Sequence, residues 1–372
     1  MKNNSKNDPD SNLLKRFISK KRITYGAIFI FIGIIIGWFI TTSSIKLSAK
    51  NTADTDVHES DKSVQTNFTF LKPSNIAIID DEDYHKELVN FKNAVEAYCK
   101  SAKNDKSIDQ VSFYFRDFTN GQWFGVNEME KFIPASLTKV PIMIAVFQKA
   151  EKDPSYLQKK LVFEGSFTSR YLKEHPEIDD VRTVMEEKMS YSVEELVNLM
   201  ITKSDNEAAM MLYDDFGQKH WNALQKTLGN GAPIAAPLSE NIITVKSYSS
   251  FFRILYNSSL LSKEYSEKAL EILSRSEYDK GIRQAFRSDI KMCHKYGERD
   301  TAVSANKIEI QQLHHAGIIY YPGKTFFLCI MTKGSDKTKM QNLIGDLSLI
   351  ARQQIDLQIE DSQKQKLSRD IN

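Results

Sequence analysis

The chain has 372 residues, 41% hydrophobic and 26% charged, with 50 Lys and Arg against 48 Asp and Glu. That is enough apolar material for one large core, and a formal charge of +2 exerts no general pull toward nucleic acid. Cys99, Cys293 and Cys329 have no C-x-x-C or Cys/His metal spacing, and an odd number closes no disulfide framework, so they read as small buried hydrophobes.

Lys15, Arg16, Lys20, Lys21 and Arg22 close a basic tail over residues 1–22, and the charge-free run Ile23 to Ile40 follows directly. At 1.5 Å per residue this run is just long enough to cross a thin hydrocarbon core of ~27–30 Å. A membrane helix over 23–42 is expected, with the tail in the cytoplasm by the positive-inside rule and Trp38 at the outer interface. The chain would then be a single-pass protein of the plasma membrane with its remainder outside. A cleavable signal peptide shares the basic-then-apolar pattern, and Leu47-Ser48-Ala49 resembles a cleavage site, but the apolar run is long for one. No cysteine follows it that could carry a lipid instead. Residues 43–80 are largely polar and read as a solvated stalk.

At Asp81 the pattern changes, and Leu88, Phe91, Val95 and Tyr98 form the stripe of an amphipathic helix that opens a folded domain over 81–372. Two aromatic and β-branched runs around Thr119-Asn120-Gly121 predict a hairpin. Helices are expected at Leu137 to Glu151, Val193 to Phe216, Val245 to Tyr256 and Glu264 to Leu273, inserted within a sheet. Strand character resumes near Ile290 in DIKMCHKYG, EIQQLHHAGIIYY and KTFFLCIMTKG, the last two joined at Pro322-Gly323. A final helix is expected from Lys337 to about Gln365.

Three polar clusters stand within these elements. Ser136 and Lys139 are three apart at the start of an apolar helix, so a hydroxyl and an amine share one face. Serine is a weak nucleophile until a neighbouring base activates it, which a lysine of depressed pKa can do. Ser204-Asp205-Asn206 interrupts a helical stripe, where the triplet could relay a proton and hold a substrate amide, or simply cap the next helix. Lys295-Tyr296-Gly297 ends a strand, offering positive charge and a glycine that lets a ligand approach the backbone, or else an ordinary strand end. Each is a weak signal alone. In the order S-x-x-K, S-D-N, K-x-G they form the signature set of class A β-lactamases and penicillin-binding proteins.

PASLTKVPIMIAVF, YSVEELVNLMITKSDNEAA, HKYGE, LHHAGIIYYPGK and FLCIMTKG resemble successive segments of class A β-lactamase-like serine hydrolases. The resemblance implies an α+β fold: a five-stranded antiparallel sheet flanked by helices, a mostly helical lobe, and an acyl-enzyme mechanism between them. By that likeness Ser136 attacks a carbonyl with Lys139 as base, and Ser204 passes a proton to the leaving nitrogen. Asn206 holds a substrate amide, Lys295 attracts a substrate carboxylate, and the N–H groups of Ser136 and Glu298, just past Gly297, form an oxyanion hole. The substrate would be a small β-lactam or a peptidoglycan stem peptide, with no cofactor and no metal, and the chain is expected to be a monomer.

Two departures qualify this. Tyr296 stands where the family usually has threonine, which alters the hydroxyl that would touch a carboxylate. The stretch between Asn206 and Thr244 is about ten residues short of what the family leads one to expect and contains no Glu-x-x-Leu-Asn; Glu240 is its late acidic residue. Slow turnover of the acyl-enzyme, as in a D,D-peptidase or penicillin sensor, is therefore the competing outcome to β-lactamase activity. A catalytically dead binding module is a further reading, should Tyr296 and His315 crowd the pocket. A metal site at His314 and His315 is disfavoured because successive strand side chains face opposite ways.

Overall fold

Alternation of side chains builds the frame. Ile108–Asp117 (β1) and Trp123–Val126 (β2) form the expected hairpin, and Gly121, at φ 79°, takes the left-handed turn position that favours glycine. Lys291–Thr301 (β5), Ile310–Tyr321 (β6) and Lys324–Gly334 (β7) complete an antiparallel sheet of order β2-β1-β7-β6-β5, which leaves β5 as an edge. A two-stranded ribbon pairs Lys160–Val162 (β3) with Ser190–Ser192 (β4). This computed structural model describes residues 68–71, 82–165, 183–228, 242–301 and 310–371, all within one compact unit, Asn67–Asn372. The expected tail (1–22) and membrane helix (23–42) lie outside the described residues, as does all of the stalk (43–80) except 68–71. Among the described residues no helix is long and apolar enough to cross a membrane.

The two faces of the sheet carry separate cores, as a period of two requires. Phe113, Phe115, Phe326, Leu328 and Ile330 pack with Phe91 of Glu82–Ala102 (α1) and with Leu347, Ala351 and Ile355 of Lys337–Ile371 (α7). In α1 the fourth core position falls to Cys99, while the Tyr98 hydroxyl reaches out to Asp346 at 2.6 Å. Tyr114, Phe327, Cys329 and Met331 face the other way, onto the helical lobe.

At the centre of that lobe runs Lys139–Lys152 (α2). Its residues from Lys139 to Phe147 are all buried, so it packs on every side against other helices rather than along one stripe. Around it stand Val193–Thr202 (α3), Asn206–Leu228 (α4, bent at Gly217 where φ is 80° and ψ 156°), Val245–Tyr256 (α5) and Lys263–Ser274 (α6). α3 and α5 each begin with a reciprocal capping box, Ser192 with Glu195 and Thr244 with Ser247.

The folded part begins upstream of Asp81. Phe70 and Leu71 are each 6% exposed. The Glu267 carboxylate accepts the N–H groups of Thr69 at 2.6 Å, Phe70 at 2.9 Å and Leu71 at 3.0 Å, and the Tyr320 hydroxyl donates to the Phe70 carbonyl at 3.0 Å. Four residues are too few to register as a periodic stripe, so this docked piece of the expected stalk has no signature in the sequence pattern.

Candidate active site

The turn that carries Ser136 is held from several sides. Phe132 exchanges both backbone hydrogen bonds with Ile243, at 2.9 and 2.8 Å. The Ile133 N–H donates to Gln312 Oε1 at 3.0 Å, and His314 Nε2 donates to the Ile133 carbonyl at 2.9 Å. Ala135 is thereby placed at φ 50°, a left-handed conformation that costs a non-glycine residue energy and persists only where its surroundings enforce it. Ala135–Thr138 then winds as a 3₁₀ turn into α2, with the Thr138 hydroxyl donating to the Ala135 carbonyl at 2.9 Å and the Tyr248 hydroxyl to the Leu137 carbonyl at 3.1 Å. Ser136 is left half-buried at the mouth of the lobe.

Lys139 is 3% exposed. Its Nζ lies 3.0 Å from Ser136 Oγ, 2.5 Å from the Ser204 carbonyl, 2.6 Å from Asn206 Oδ1 and 3.2 Å from Ser204 Oγ. Two of these partners are carbonyl oxygens and can only accept. An uncharged amine satisfies both with its two N–H bonds and directs its lone pair at the Ser136 hydroxyl; an ammonium gives its third proton to a hydroxyl. The same geometry therefore serves both protonation states of the amine.

Within the Ser204-Asp205-Asn206 triplet the capping role falls to Asp205 alone. Asp205 caps α4 through the Ala208 N–H at 2.9 Å and holds the Val184 N–H at 2.9 Å with its other oxygen. Capping by Asp205 frees Ser204 and Asn206 to face Lys139. Ser204 sits at φ 58°, the second strained non-glycine residue in the site. Its Oγ stands between two lysine amines, since Lys295 Nζ approaches it at 2.9 Å as well.

β5 delivers the remaining residues. A Cβ placed on Gly297 would lie 2.8 Å from the Pro134 carbonyl oxygen, 3.0 Å from the Leu137 nitrogen and 3.1 Å from the Ser136 nitrogen. The edge strand thus packs against the backbone of the Ser136 turn, and glycine is required for that approach. Glu298 follows it on the strand, its carboxylate paired with Lys337 at 3.3 Å. Ser136, Lys139, Ser204, Asn206, Lys295 and Gly297 are therefore brought together, with Glu298 beside them. Lys295 is 0% exposed, and the half-buried ring of Tyr296 stacks on Tyr278 with centroids 3.8 Å apart. A cleft of about 590 Å³ opens on this side, lined by Thr183, Asp205, Tyr278, Tyr296 and Glu298 among others. Ser136 is not part of that lining, so the cleft flanks the turn that carries it. Glu240 lies outside the described residues.

Tyr278 and Gln312 have no signature in the sequence as residues of this site, and His314, weighed there only as a metal ligand, instead holds the Ser136 turn. Gln312 and His314 share a face of β6 by alternation, but nothing local in the sequence says that this face meets Ile133. His314 and His315 do point apart. His315 Nδ1 accepts the Ile282 N–H at 3.0 Å, so its proton is on Nε2 and is donated to His294 Nδ1 at 2.9 Å. All three imidazoles are buried and neutral: desolvation holds His314 down to about 4 and, helped by the Lys295 charge, His294 down to about 3, with His315 lowered too.

These histidines make stability pH-dependent. An imidazole in the unfolded chain titrates near ~6.5, so as pH falls below that value the unfolded state binds protons that the folded state refuses. Stability present at pH 7 is lost toward about pH 4, and His314 alone accounts for about 3 kcal/mol across that window. Urea midpoints should fall steadily between about pH 7 and 4.5; a flat profile would contradict neutral buried imidazoles.

A model of the β-lactamase enzyme family matches residues 90–355. No curated protein matches the chain. Among solved structures, PBP-A is 20% identical, covering 72% of this chain and 97% of its own at a TM-score of 0.60. TLA-3 extended-spectrum β-lactamase is also 20% identical, over 71% and 97% of the two chains, with a TM-score of 0.60. A β-lactamase from Sphaerobacter thermophilus DSM 20745 is 21% identical over 71% and 97%, with a TM-score of 0.59. At these identities the likeness speaks for the fold.

Proposed function

The chain belongs to the β-lactamase enzyme family, and from that premise we propose that it is a membrane-anchored active-serine hydrolase that forms an acyl-enzyme at Ser136 with β-lactams or peptidoglycan-like D-Ala-D-Ala peptides. One observation carries this reading: Lys139 Nζ touches Ser136 Oγ at 3.0 Å while it is itself held by Ser204 and Asn206. Lys139 takes the hydroxyl proton as Ser136 Oγ attacks the carbonyl carbon. The oxyanion is received by the N–H groups of Ser136 and Glu298, a role consistent with the close packing of Gly297 on the Ser136 turn. Collapse breaks the bond to nitrogen, which leaves with the Ser204 hydroxyl proton, and Lys139 replaces that proton across 3.2 Å. The product is an ester on Ser136, to be cleaved by water. A PBP-A variant described as an acyl-enzyme complex with penicillin G offers a precedent in the same fold.

The absence of a Glu-x-x-Leu-Asn segment favours slow hydrolysis of that ester, hence D,D-peptidase or penicillin-sensor behaviour over rapid β-lactamase turnover. The basic residues ahead of Ile23–Ile40 favour an anchored enzyme with its site outside the cytoplasm. Intact-mass measurement of the full chain after penicillin exposure should give one adduct per chain that persists for many minutes and is absent from Ser136→Ala. Rapid loss of the adduct would favour a β-lactamase, and reaction of the alanine variant would overturn the assignment of the nucleophile. No adduct with either penicillin or a fluorophosphonate would mark a binding module.

A further inference from the structure

A bicyclic β-lactam such as penicillin carries its carboxylate on the carbon bonded to the nitrogen that leaves. If that nitrogen takes its proton from Ser204, as proposed above, the carboxylate arrives beside Lys295, whose Nζ is 2.9 Å from Ser204 Oγ. Lys295 is poorly placed to receive it. The side chain is 0% exposed, and its Nζ donates to the Tyr296 carbonyl at 3.1 Å and stands 4.5 Å from the centroid of the Tyr296 ring. The residue that follows the lysine on β5 thus lays its own ring against the ammonium.

That ring is braced. It stacks on Tyr278 with an interplanar angle of 10°, and Tyr278 meets His315 edge-on with centroids 5.1 Å apart. His315 is fixed in turn by the Ile282 N–H on one nitrogen and His294 on the other. Displacing Tyr296 would therefore disturb a row of contacts that runs into the core. The flanking cleft supplies little compensating charge: Lys203 is paired with Glu277 and Lys337 with Glu298 and Asp300, while Asp205 and Asp279 add further carboxylates to the cleft and Lys280 one more cation. An aromatic face attracts cations and repels anions, and an anion buried without a partner is costly.

We infer that Tyr296, backed by Tyr278, is a specificity-determining residue that sets the leaving-group side of the site against carboxylates, so that preferred acyl donors have an uncharged or cationic leaving group. The inference rests on Ser136 as nucleophile and Ser204 as relay, and it separates two chemistries that the family reading leaves together. Lactams or amides whose leaving side is neutral are accepted; those with an anion next to the leaving nitrogen, free penicillins and a D-Ala-D-Ala terminus included, acylate Ser136 more slowly, so among peptides the inference narrows the proposed substrates to those whose leaving residue has its carboxylate amidated or otherwise capped.

Benzylpenicillin and its methyl ester differ only in that charge. The test is the ratio of their acylation rate constants, acid over ester, read by intact mass on the full chain, because a ratio cancels any general change in reactivity. The wild-type ratio is expected below one. Tyr296→Thr, which uncovers Lys295 and offers a hydroxyl, should raise it by about tenfold or more, the size of one hydrogen bond to a charged group. Tyr296→Phe keeps the stack and should keep the wild-type ratio. A wild-type chain that prefers the acid, or a ratio that Tyr296→Thr leaves unmoved, overturns the inference. Should Tyr296→Thr not fold, Tyr278→Ala replaces it with the same expected direction, and the wild-type ratio decides alone. A fluorophosphonate has no carboxylate, so a wild-type chain that fails to take one refutes the assignment of Ser136 itself and not the role of Tyr296.

Discussion

Replacing Lys139 with methionine should slow acylation of Ser136 by about a thousandfold or more. Methionine keeps the length and volume of the chain within the lobe, so packing changes little, but three functions of the amine are lost together. The Ser136 hydroxyl loses the group 3.0 Å away that can accept its proton, a contribution of typically 10²–10⁴ for a positioned base. The Ser204 carbonyl and Asn206 Oδ1 lose a shared donor, and a buried acceptor left unsatisfied, as the Ser204 carbonyl would be, costs about 1–3 kcal/mol. Ser204 Oγ loses the contact through which its proton is proposed to be restored. The variant should accordingly be less stable as well as slow, and the two losses can be measured apart: thermal melting reads the first, and rapid-quench labelling with a fluorophosphonate reads the second in protein shown to be folded. A labelling rate within about tenfold of wild type would show that Lys139 is not the base and that Ser136 is activated from elsewhere.

Much of the frame was legible because strands and amphipathic helices impose periods on sequence. The hairpin at Thr119–Gly121, the three C-terminal strands and the break at Ser204 between two helices all occur where those periods change. The site was legible for another reason: Ser136, Ser204 and Lys295 each lie within a short motif whose chain order is informative even though each motif alone is weak. What escaped was everything decided by contacts between distant segments. The cap supplied by Asp205 and the grip of Gln312 and His314 on Ile133 depend on which surfaces the fold brings together. The same is true of Tyr278, which reaches Tyr296 from an irregular segment between α6 and β5. The docking of Phe70 on Glu267 spans almost two hundred residues of chain, and a four-residue piece carries too little pattern to announce it.

The strained backbone also has an explanation in these distant contacts. Ala135 and Ser204 adopt positive φ on either side of Lys139, each costing of order 1–3 kcal/mol relative to an unstrained residue. At Ala135 the Ile133 hydrogen bonds and the Thr138 hydroxyl hold the turn; at Ser204 the two lysines do. The strain sets Ser136 Oγ and Ser204 Oγ on the same amine, an arrangement that a regular helix would not produce from residues 68 apart in sequence. Loss of either restraint should relax the geometry before it unfolds the domain.

Gly297→Ala tests how closely the sheet and the proposed nucleophile are coupled. The added methyl would meet the Pro134 carbonyl oxygen at 2.8 Å, the Leu137 nitrogen at 3.0 Å and the Ser136 nitrogen at 3.1 Å, all backbone atoms with no rotamer by which to yield. Either β5 moves away from the turn or the turn moves away from Lys139. Overpacking of this kind costs about 1–3 kcal/mol of stability, and several tenths of an ångström between Glu298 and Ser136 would misplace the proposed oxyanion donors, each worth roughly 10²–10³ in rate. Acylation is therefore expected to drop by about a hundredfold or more, with Lys139 and Ser204 still present and the fold retained. The loss should be greater for a penicillin, whose tetrahedral intermediate needs both donors, than thermal melting alone would suggest. An alanine variant that melts lower yet acylates at the wild-type rate would show that Gly297 serves only packing and that the oxyanion is received elsewhere.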